Sequence, residues 1–285
     1  MRLFFLCVCV VDAYSYLCGV FLMQLFTNKR RMNKEKPLIL ISNDDGFNAP
    51  GLNLLADVAS GFGDVVVLAP AVQQSGKSSA VSSNTKVVLR HESSKPNVEV
   101  YSATGTPVDC VKLAFYSVCK DRKPDLILSG INQGVNSSIN VIYSGTMGAV
   151  IEGCLNGIPS VGFSLAVKDF KSQPDYTPCR DYVSRVISGV LKNGLPKGVC
   201  LNVNFPKDKF GGEFVWCRGA NAQWINEFTK VCDEPDGTES YLLGGEFVSL
   251  EPDSEDTDEW QLAHGHPTIV PIRADMTDFE FLKKK

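Results

Sequence analysis

The chain has 285 residues, with 28 Lys and Arg against 32 Asp and Glu, and is 44% hydrophobic and 21% charged. Those proportions exclude a disordered or collagen-like polypeptide, and a chain of this length buries a full core without disulfide or metal staples. A net charge of −4 argues against nucleic-acid binding, which needs a Lys/Arg excess to neutralise phosphates. Only three His are present (His91, His264, His266), too few for a His-rich zinc site and little material for a Ser-His-Asp triad. The chemistry is expected to run on oxygen ligands.

The averages hide an uneven start. Residues 1–31 hold Arg2, Lys29, Arg30 and Arg31 but only one acid, Asp12, so the remaining 254 residues carry 24 basic and 31 acidic side chains, a net −7. Leu3 to Phe26 is largely apolar and includes Cys7, Cys9 and Cys18. Three readings fit this leader. It is long enough for a membrane anchor, which needs roughly 20 residues, although Asp12 in its middle would cost about 2.5–3.5 kcal/mol to insert. It resembles a secretory signal but lacks a small-x-small cleavage site after Leu17. The preferred reading is a mis-called start, with Met32 opening the polar lead-in before the first strand. That makes 32–285 the functional unit and its location cytoplasmic; anchoring or export would follow only if residues 1–31 are genuine. The other seven Cys (Cys110, Cys119, Cys154, Cys179, Cys200, Cys217, Cys232) are scattered singly, which suits buried thiols in a reducing compartment.

From Leu38 the elements follow in regular order. Leu38-Ile39-Leu40-Ile41 is a short apolar strand followed by the turn residues Ser42-Asn43-Asp44-Asp45-Gly46. Pro50-Gly51 opens a helix with Leu52, Leu55, Val58 and Ala59 on one face, stopped by Gly61 and Gly63. Val65–Ala69 is a second buried strand. Strand, helix and strand within about 30 residues indicate a parallel βαβ unit. Lys86–Arg90 and Val98–Tyr101 read as a hairpin, and Pro107 begins a helix over Val108–Cys119. Asp125–Ser129, Ile158–Phe163 and Val199–Val203 are further strands, separated by helices over Thr146–Leu155 and Tyr182–Leu191. The expected core is a doubly wound, mainly parallel α/β sheet. From residue 206 onward, glycine-separated short strands, ending in Ile269–Ile272, predict a β-rich extension.

In such a sheet, ligands bind beyond the carboxyl ends of the strands. Three polar loops follow strands directly: Asn43-Asp44-Asp45-Gly46, Gln73-Gln74-Ser75-Gly76, and Gly130-Ile131-Asn132-Gln133-Gly134-Val135-Asn136. A fourth segment, Tyr143-Ser144-Gly145-Thr146, opens a helix. Asp-Asp-Gly alone is commonly a turn, but two adjacent carboxylates on a ligand-binding rim repel each other unless a cation compensates. Asp44 and Asp45, with the Ser75 hydroxyl and the Asn132 amide oxygen, form a hard oxygen set suited to Mg²⁺, Mn²⁺ or Ca²⁺. Ser144-Gly145-Thr146 is either a plain N-cap or a phosphate cradle. Cation and phosphate sites on one rim suggest phosphoryl chemistry. Ser75-Gly76-Lys77-Ser78 imitates the end of a P-loop, but Ala71 stands where its first glycine should be.

These motifs resemble the SurE family of survival-protein nucleotidases. The resemblance rests on Ser42–Gly51, on Ala69-Pro70 leading to Ser75-Gly76, on Ser129–Asn136 and on Tyr143–Ala149, in that order, and on Asp256-Thr257-Asp258, Pro271 and Asp275-Met276-Thr277 near the end. It spans about residues 36–278. It implies a Rossmann-like fold and a metal-dependent phosphomonoesterase that hydrolyses nucleoside 5′- or 3′-monophosphates to nucleoside and phosphate. The implied metal ligands are Asp44, Asp45, Ser75 and Asn132, holding one divalent cation per subunit. The implied phosphate-binding residues are Asn132, Ser144, Gly145 and Thr146. Asp44 or Asp45 would orient the attacking water, and an aspartyl-phosphate on Asp44 is the rival route. The implied partners are a mononucleotide substrate and further copies of the chain, as a homodimer or homotetramer joined by the C-terminal extension. No stable nucleic-acid partner is expected, and no membrane unless the leader is retained. Lys77 and Gln73-Gln74 depart from the family pattern, where Arg or Asn is frequent nearby. The alternative is a non-hydrolytic nucleotide-binding sensor.

Overall fold

The computed structural model describes residues 36–207, 211–233 and 236–284. Residues 1–31, and with them the reading of the leader, lie outside the described residues. Nine strands form the central sheet in the order β3-β4-β2-β1-β5-β6-β7-β13-β8. Its centre is parallel: β1 (Leu38–Ser42) lies between β2 (Asp64–Pro70) and β5 (Leu126–Gln133), followed outward by β6 (Ser160–Leu165) and β7 (Val199–Phe205). Their runs of Leu, Ile and Val are buried because helices cover both faces. Helices α1 (Pro50–Ser60) and α5 (Arg180–Asn193) pack with one face, where Leu52, Leu55, Val183 and Ile187 meet Ile39, Ile41 and Val203. Helices α2 (Pro107–Tyr116) and α4 (Gly145–Leu155) cover the other, where Cys110, Val111, Ala114 and Ala149 meet Leu40, Leu68 and Ile127. The fold is the expected Rossmann-like, doubly wound α/β arrangement.

Local chemistry explains the helix ends. Pro50 stands in the first turn of α1, where its missing N–H costs nothing. Thr106 and Asp109 form a reciprocal capping box at α2, Thr106 Oγ1 accepting from the Asp109 N–H at 3.1 Å and Asp109 Oδ2 accepting from the Thr106 N–H at 2.8 Å. That helix stops at Tyr116, short of the expected Cys119, and the Ser117 hydroxyl turns back to donate to the Leu113 carbonyl. The hairpin before it also differs from expectation. β3 (Leu89–Lys95) pairs antiparallel with β4 (Val98–Ala103), so the strand begins later than Lys86. The two-residue Pro96-Asn97 turn, with Asn97 in the left-handed region, opposes Lys95 to Val98 and fixes that register.

The segment after residue 206 is β-rich, and part of it completes the main sheet. β13 (Thr268–Arg273) pairs antiparallel with β7, and the short β8 (Val215–Trp216) pairs parallel with β13. Between them lie β9 (Ala222–Ile225) paired with β12 (Glu246–Ser249), and the hairpin of β10 (Phe228–Asp233) and β11 (Glu239–Leu243). A short helix that the sequence reading did not predict, α6 (Asp258–Ala263), is capped by the Thr257 hydroxyl. Two other short helices are α3 (Asn140–Tyr143), directly before α4, and α7 (Phe279–Leu282). No helix among the described residues is long and apolar enough to cross a membrane. Of the seven cysteines outside the leader, Cys110, Cys119, Cys154, Cys179 and Cys200 are buried as expected, whereas Cys217 is half-buried and Cys232 exposed.

Candidate active site

The sheet order changes direction between β1 and β5: β1 continues to β2 on one side, while β5 leads to β6 on the other. A crevice opens at such a switch point beyond the strand ends. Pairing of Ser42 with Ser129 brings the ends of these strands level, so Asp44 and Asp45 emerge beside the glycine-rich segment that begins at Gly130. That segment was expected to be a loop. Its first part, Gly130–Gln133, is the irregular end of β5, which breaks register between Ser129 and Asn132 and then resumes pairing, Asn132 with Ser164 and Gln133 with Leu165; Gly134–Asn136 leave the strand as expected. Strand pairing therefore holds Asn132 more firmly than a loop would.

Asp44 is 4% exposed and lies at the start of α4. Its Oδ1 accepts the Thr146 hydroxyl at 2.5 Å. Burial, with the neighbouring Asp45 charge adding to it, raises its carboxyl from 3.8 to about 6, against the pull of the Thr146 hydroxyl and the nearby Thr146 N–H. Gly145 makes this approach feasible. A Cβ there would stand 2.8 Å from Asp44 Cβ and 3.0 Å from its Oδ2, closer than side-chain contacts allow. Ser144 caps the helix, its hydroxyl accepting the Met147 N–H at 3.0 Å.

Asp45 is less buried. Its Oδ2 accepts the backbone N–H of Gln133 at 3.2 Å, which ties the acidic pair to β5. Burial raises the Asp45 carboxyl above its usual range, and the Gln133 N–H pulls it back. Burial also pushes up the Tyr176 phenol, with the Asp45 charge contributing. Asn132 directs Nδ2 to the Gly134 carbonyl at 2.8 Å, which leaves its Oδ1 as the amide's acceptor. Ser75 behaves differently. It is exposed, and its hydroxyl accepts from Gln73 Nε2 at 2.9 Å. What ties its loop to the site is the Gln74 N–H, donated to the Asp44 carbonyl at 2.7 Å. The structure thus gathers Asp44, Gly145 and Thr146 by direct contacts, ties Asp45 to Gln133 beside Asn132, and sets Ser75 at the edge.

The donor set is of the kind a hard divalent cation takes: two carboxylates and an amide oxygen, with the Ser75 hydroxyl at the edge. Among the described residues no group of three or more His, Cys, Asp and Glu is placed to hold a metal ion, and a cation here would draw on amide and hydroxyl oxygens beside the two carboxylates. Asp258, quoted in the sequence only as part of a motif, is the residue that fastens the C-terminal segment nearby. It is buried and accepts the N–H groups of Ser138, Ala220 and Glu259 at 2.8, 2.9 and 2.9 Å. Nothing in its local pattern distinguishes it from other exposed-looking acids.

Fold and rim together define the class: a doubly wound α/β protein whose switch-point crevice joins a paired carboxylate to a helix N-terminus. Comparison with known proteins makes this specific, and the chain belongs to the SurE family, because the model of survival protein SurE matches residues 39–226. It is similar to the 5′-nucleotidase SurE of Phocaeicola vulgatus, 46% identical over 253 residues, 89% of this chain and 97% of the relative. A similar relative, the 5′-nucleotidase SurE of Christiangramia forsetii, is 47% identical over 257 residues, 88% of this chain and 96% of its own. The crystal structure of the SurE protein from Aquifex aeolicus superposes with a TM-score of 0.73 at 29% identity, covering 87% of this chain and 98% of that one.

Proposed function

We infer that this chain is a 5′-nucleotidase: a metal-dependent phosphomonoesterase that hydrolyses nucleoside 5′-monophosphates, with 3′-monophosphates as further substrates. The observation that carries the reading is the contact across Gly145, where the buried Asp44 carboxylate, first of an adjacent pair, meets the N-terminus of α4. Carboxylates suited to a cation and the positive end of a helix, suited to a phosphate, are thereby on one rim. The names of the relatives, each a 5′-nucleotidase SurE, support the same activity. Asp44, Asp45, Asn132 and Ser75 would hold one divalent cation, Mg²⁺ or Mn²⁺, which when bound would supply positive charge to offset that of the phosphoryl oxygens. Ser144, Gly145, Thr146 and Asn132 orient the phosphoryl group. Asp45, the more accessible carboxylate, accepts the proton of the attacking water, and Thr146 fixes the Asp44 carboxylate beside it.

Two further parts of the reading concern context. The β10–β11 hairpin leaves Phe228, Val231, Tyr241, Leu242 and Leu243 exposed, an apolar surface of the kind that joins subunits, and this supports a homodimer or homotetramer built through the extension. A cytoplasmic location suits the five buried thiols. The test of the activity is phosphate release from AMP, GMP and an aryl phosphate, with and without Mg²⁺ or Mn²⁺. Metal-dependent release is expected; tight mononucleotide binding with no release would replace this reading by a sensor.

A further inference from the structure

Between β6 and the helical turn at Thr177–Cys179 the chain runs irregularly, and it leaves one large apolar side chain in water. Phe170 is 75% exposed. An exposed ring is unremarkable by itself, but this one is held in place. A Cβ on Gly134 would stand 3.0 Å from Cε1 and 3.2 Å from Cζ of Phe170, and 3.9 Å from Nδ2 of Asn132. The ring edge and the Asn132 amide therefore flank one point on the rim. Gly134 has a φ of +113°, a conformation that L side chains rarely adopt, so the backbone beneath the ring stays bare.

The loop carrying the ring is tied to the rim at Ser172 and closed on itself by Asp169. Gln133 Nε2 donates to the Ser172 carbonyl at 3.0 Å, joining the loop to β5 beside Asn132. Asp169 Oδ1 accepts from the N–H groups of Lys171 and Ser172 and from the Ser172 hydroxyl, at 2.9, 2.8 and 3.1 Å. An aromatic face on an anchored loop, next to a residue assigned to phosphate, matches the part of a mononucleotide that the rim does not hold. Every nucleobase presents a π face, whatever its hydrogen-bonding edge, and stacks on such a ring.

We propose that Phe170 is the stacking platform for the substrate's nucleobase and sets the preference for nucleotides over phosphate esters that lack a base. The proposal rests on the nucleotidase reading above. Stacking carries no edge-specific readout, so it tolerates all bases and favours the larger purines. The rival aromatic is Tyr143, which adjoins Ser144 and is 57% exposed.

The test compares kcat/KM for AMP and for ribose 5-phosphate in the wild-type protein and in Phe170→Ala, Phe170→Trp and Tyr143→Ala. Loss of the ring should lower the ratio of AMP to ribose 5-phosphate by roughly tenfold, mainly through KM for AMP. Phe170→Trp should keep the ratio. Thermal melts of the variants separate this effect from misfolding, to which an exposed position contributes little. An unchanged ratio in Phe170→Ala, or a loss confined to Tyr143→Ala, overturns the platform while leaving the nucleotidase reading intact. A wild-type protein that releases phosphate from neither substrate refutes the nucleotidase reading, and the platform with it.

Discussion

Asp44→Asn has an effect on stability whose sign follows from burial alone. The wild-type carboxyl is 4% exposed, and burial lifts its pKa from 3.8 to about 6. A group whose folded pKa lies above its unfolded value stabilises the fold fully below the unfolded value and loses that contribution as pH rises through the folded one. At pH 8 the metal-free protein therefore holds an ionised Asp44 at a cost of about 3 kcal/mol, from roughly two pKa units at about 1.4 kcal/mol each. Asn has the same shape, keeps an oxygen to accept the Thr146 hydroxyl, and carries no charge. In EDTA at pH 8 the variant should melt roughly 5–10 °C above the wild type by calorimetry. By pH 5, where the wild-type carboxyl is largely protonated, the gap should shrink to about half. Millimolar Mn²⁺ should raise the wild-type melting temperature and leave the variant nearly unchanged, because only the wild type has both carboxylates to bind it. A variant that melts at or below the wild type in EDTA at pH 8 would refute the reasoning about burial.

Gly145→Ala adds a methyl group 2.8 Å from Asp44 Cβ and 3.0 Å from its Oδ2; phosphate release should fall by at least about tenfold, and calorimetry should show a lower melting temperature, because the overpacking outweighs the better helix propensity of Ala. Thr146→Val removes the donor that lowers the Asp44 pKa, so the acid limb of the pH–rate profile should move to higher pH; an unmoved limb would mean that ionised Asp44 is not required. Leu242→Asp places a charge on the exposed β10–β11 hairpin, and light scattering should then report a smaller assembly than the wild type forms.

Much of this was legible in the sequence because buried parallel strands are written as unbroken apolar runs. Leu38–Ile41, Val65–Ala69 and Val199–Val203 all became central strands, and the polar residues that follow the first of them fell on the rim. That Asp44 and Thr146 share one rim was accessible for the same reason, whereas the hydrogen bond between them was not. The local pattern misled where glycine and asparagine imply a turn. Gly130–Gln133 has loop composition, yet pairing with β6 carries it on as strand. In the hairpin, Val87-Val88 suggested a strand, but the Pro96-Asn97 turn set the register further along. Ser75 was placed on the rim because its loop follows a strand, and the fold leaves it exposed at the edge. Phe170 and Asp258 gave no local sign. One is a lone aromatic in an irregular stretch, and the other earns its burial only through backbone groups distant in sequence.

The most direct test of the account is phosphate release from AMP by EDTA-stripped protein titrated with Mn²⁺, run beside Asp45→Asn. The wild type should pass from no release to full release at about one equivalent of Mn²⁺ per subunit, and the variant should remain at least about 100-fold slower throughout. Full release by the stripped protein, or wild-type rates from Asp45→Asn, would contradict the assignment of the Asp44–Asp45 rim as the metal-dependent active site.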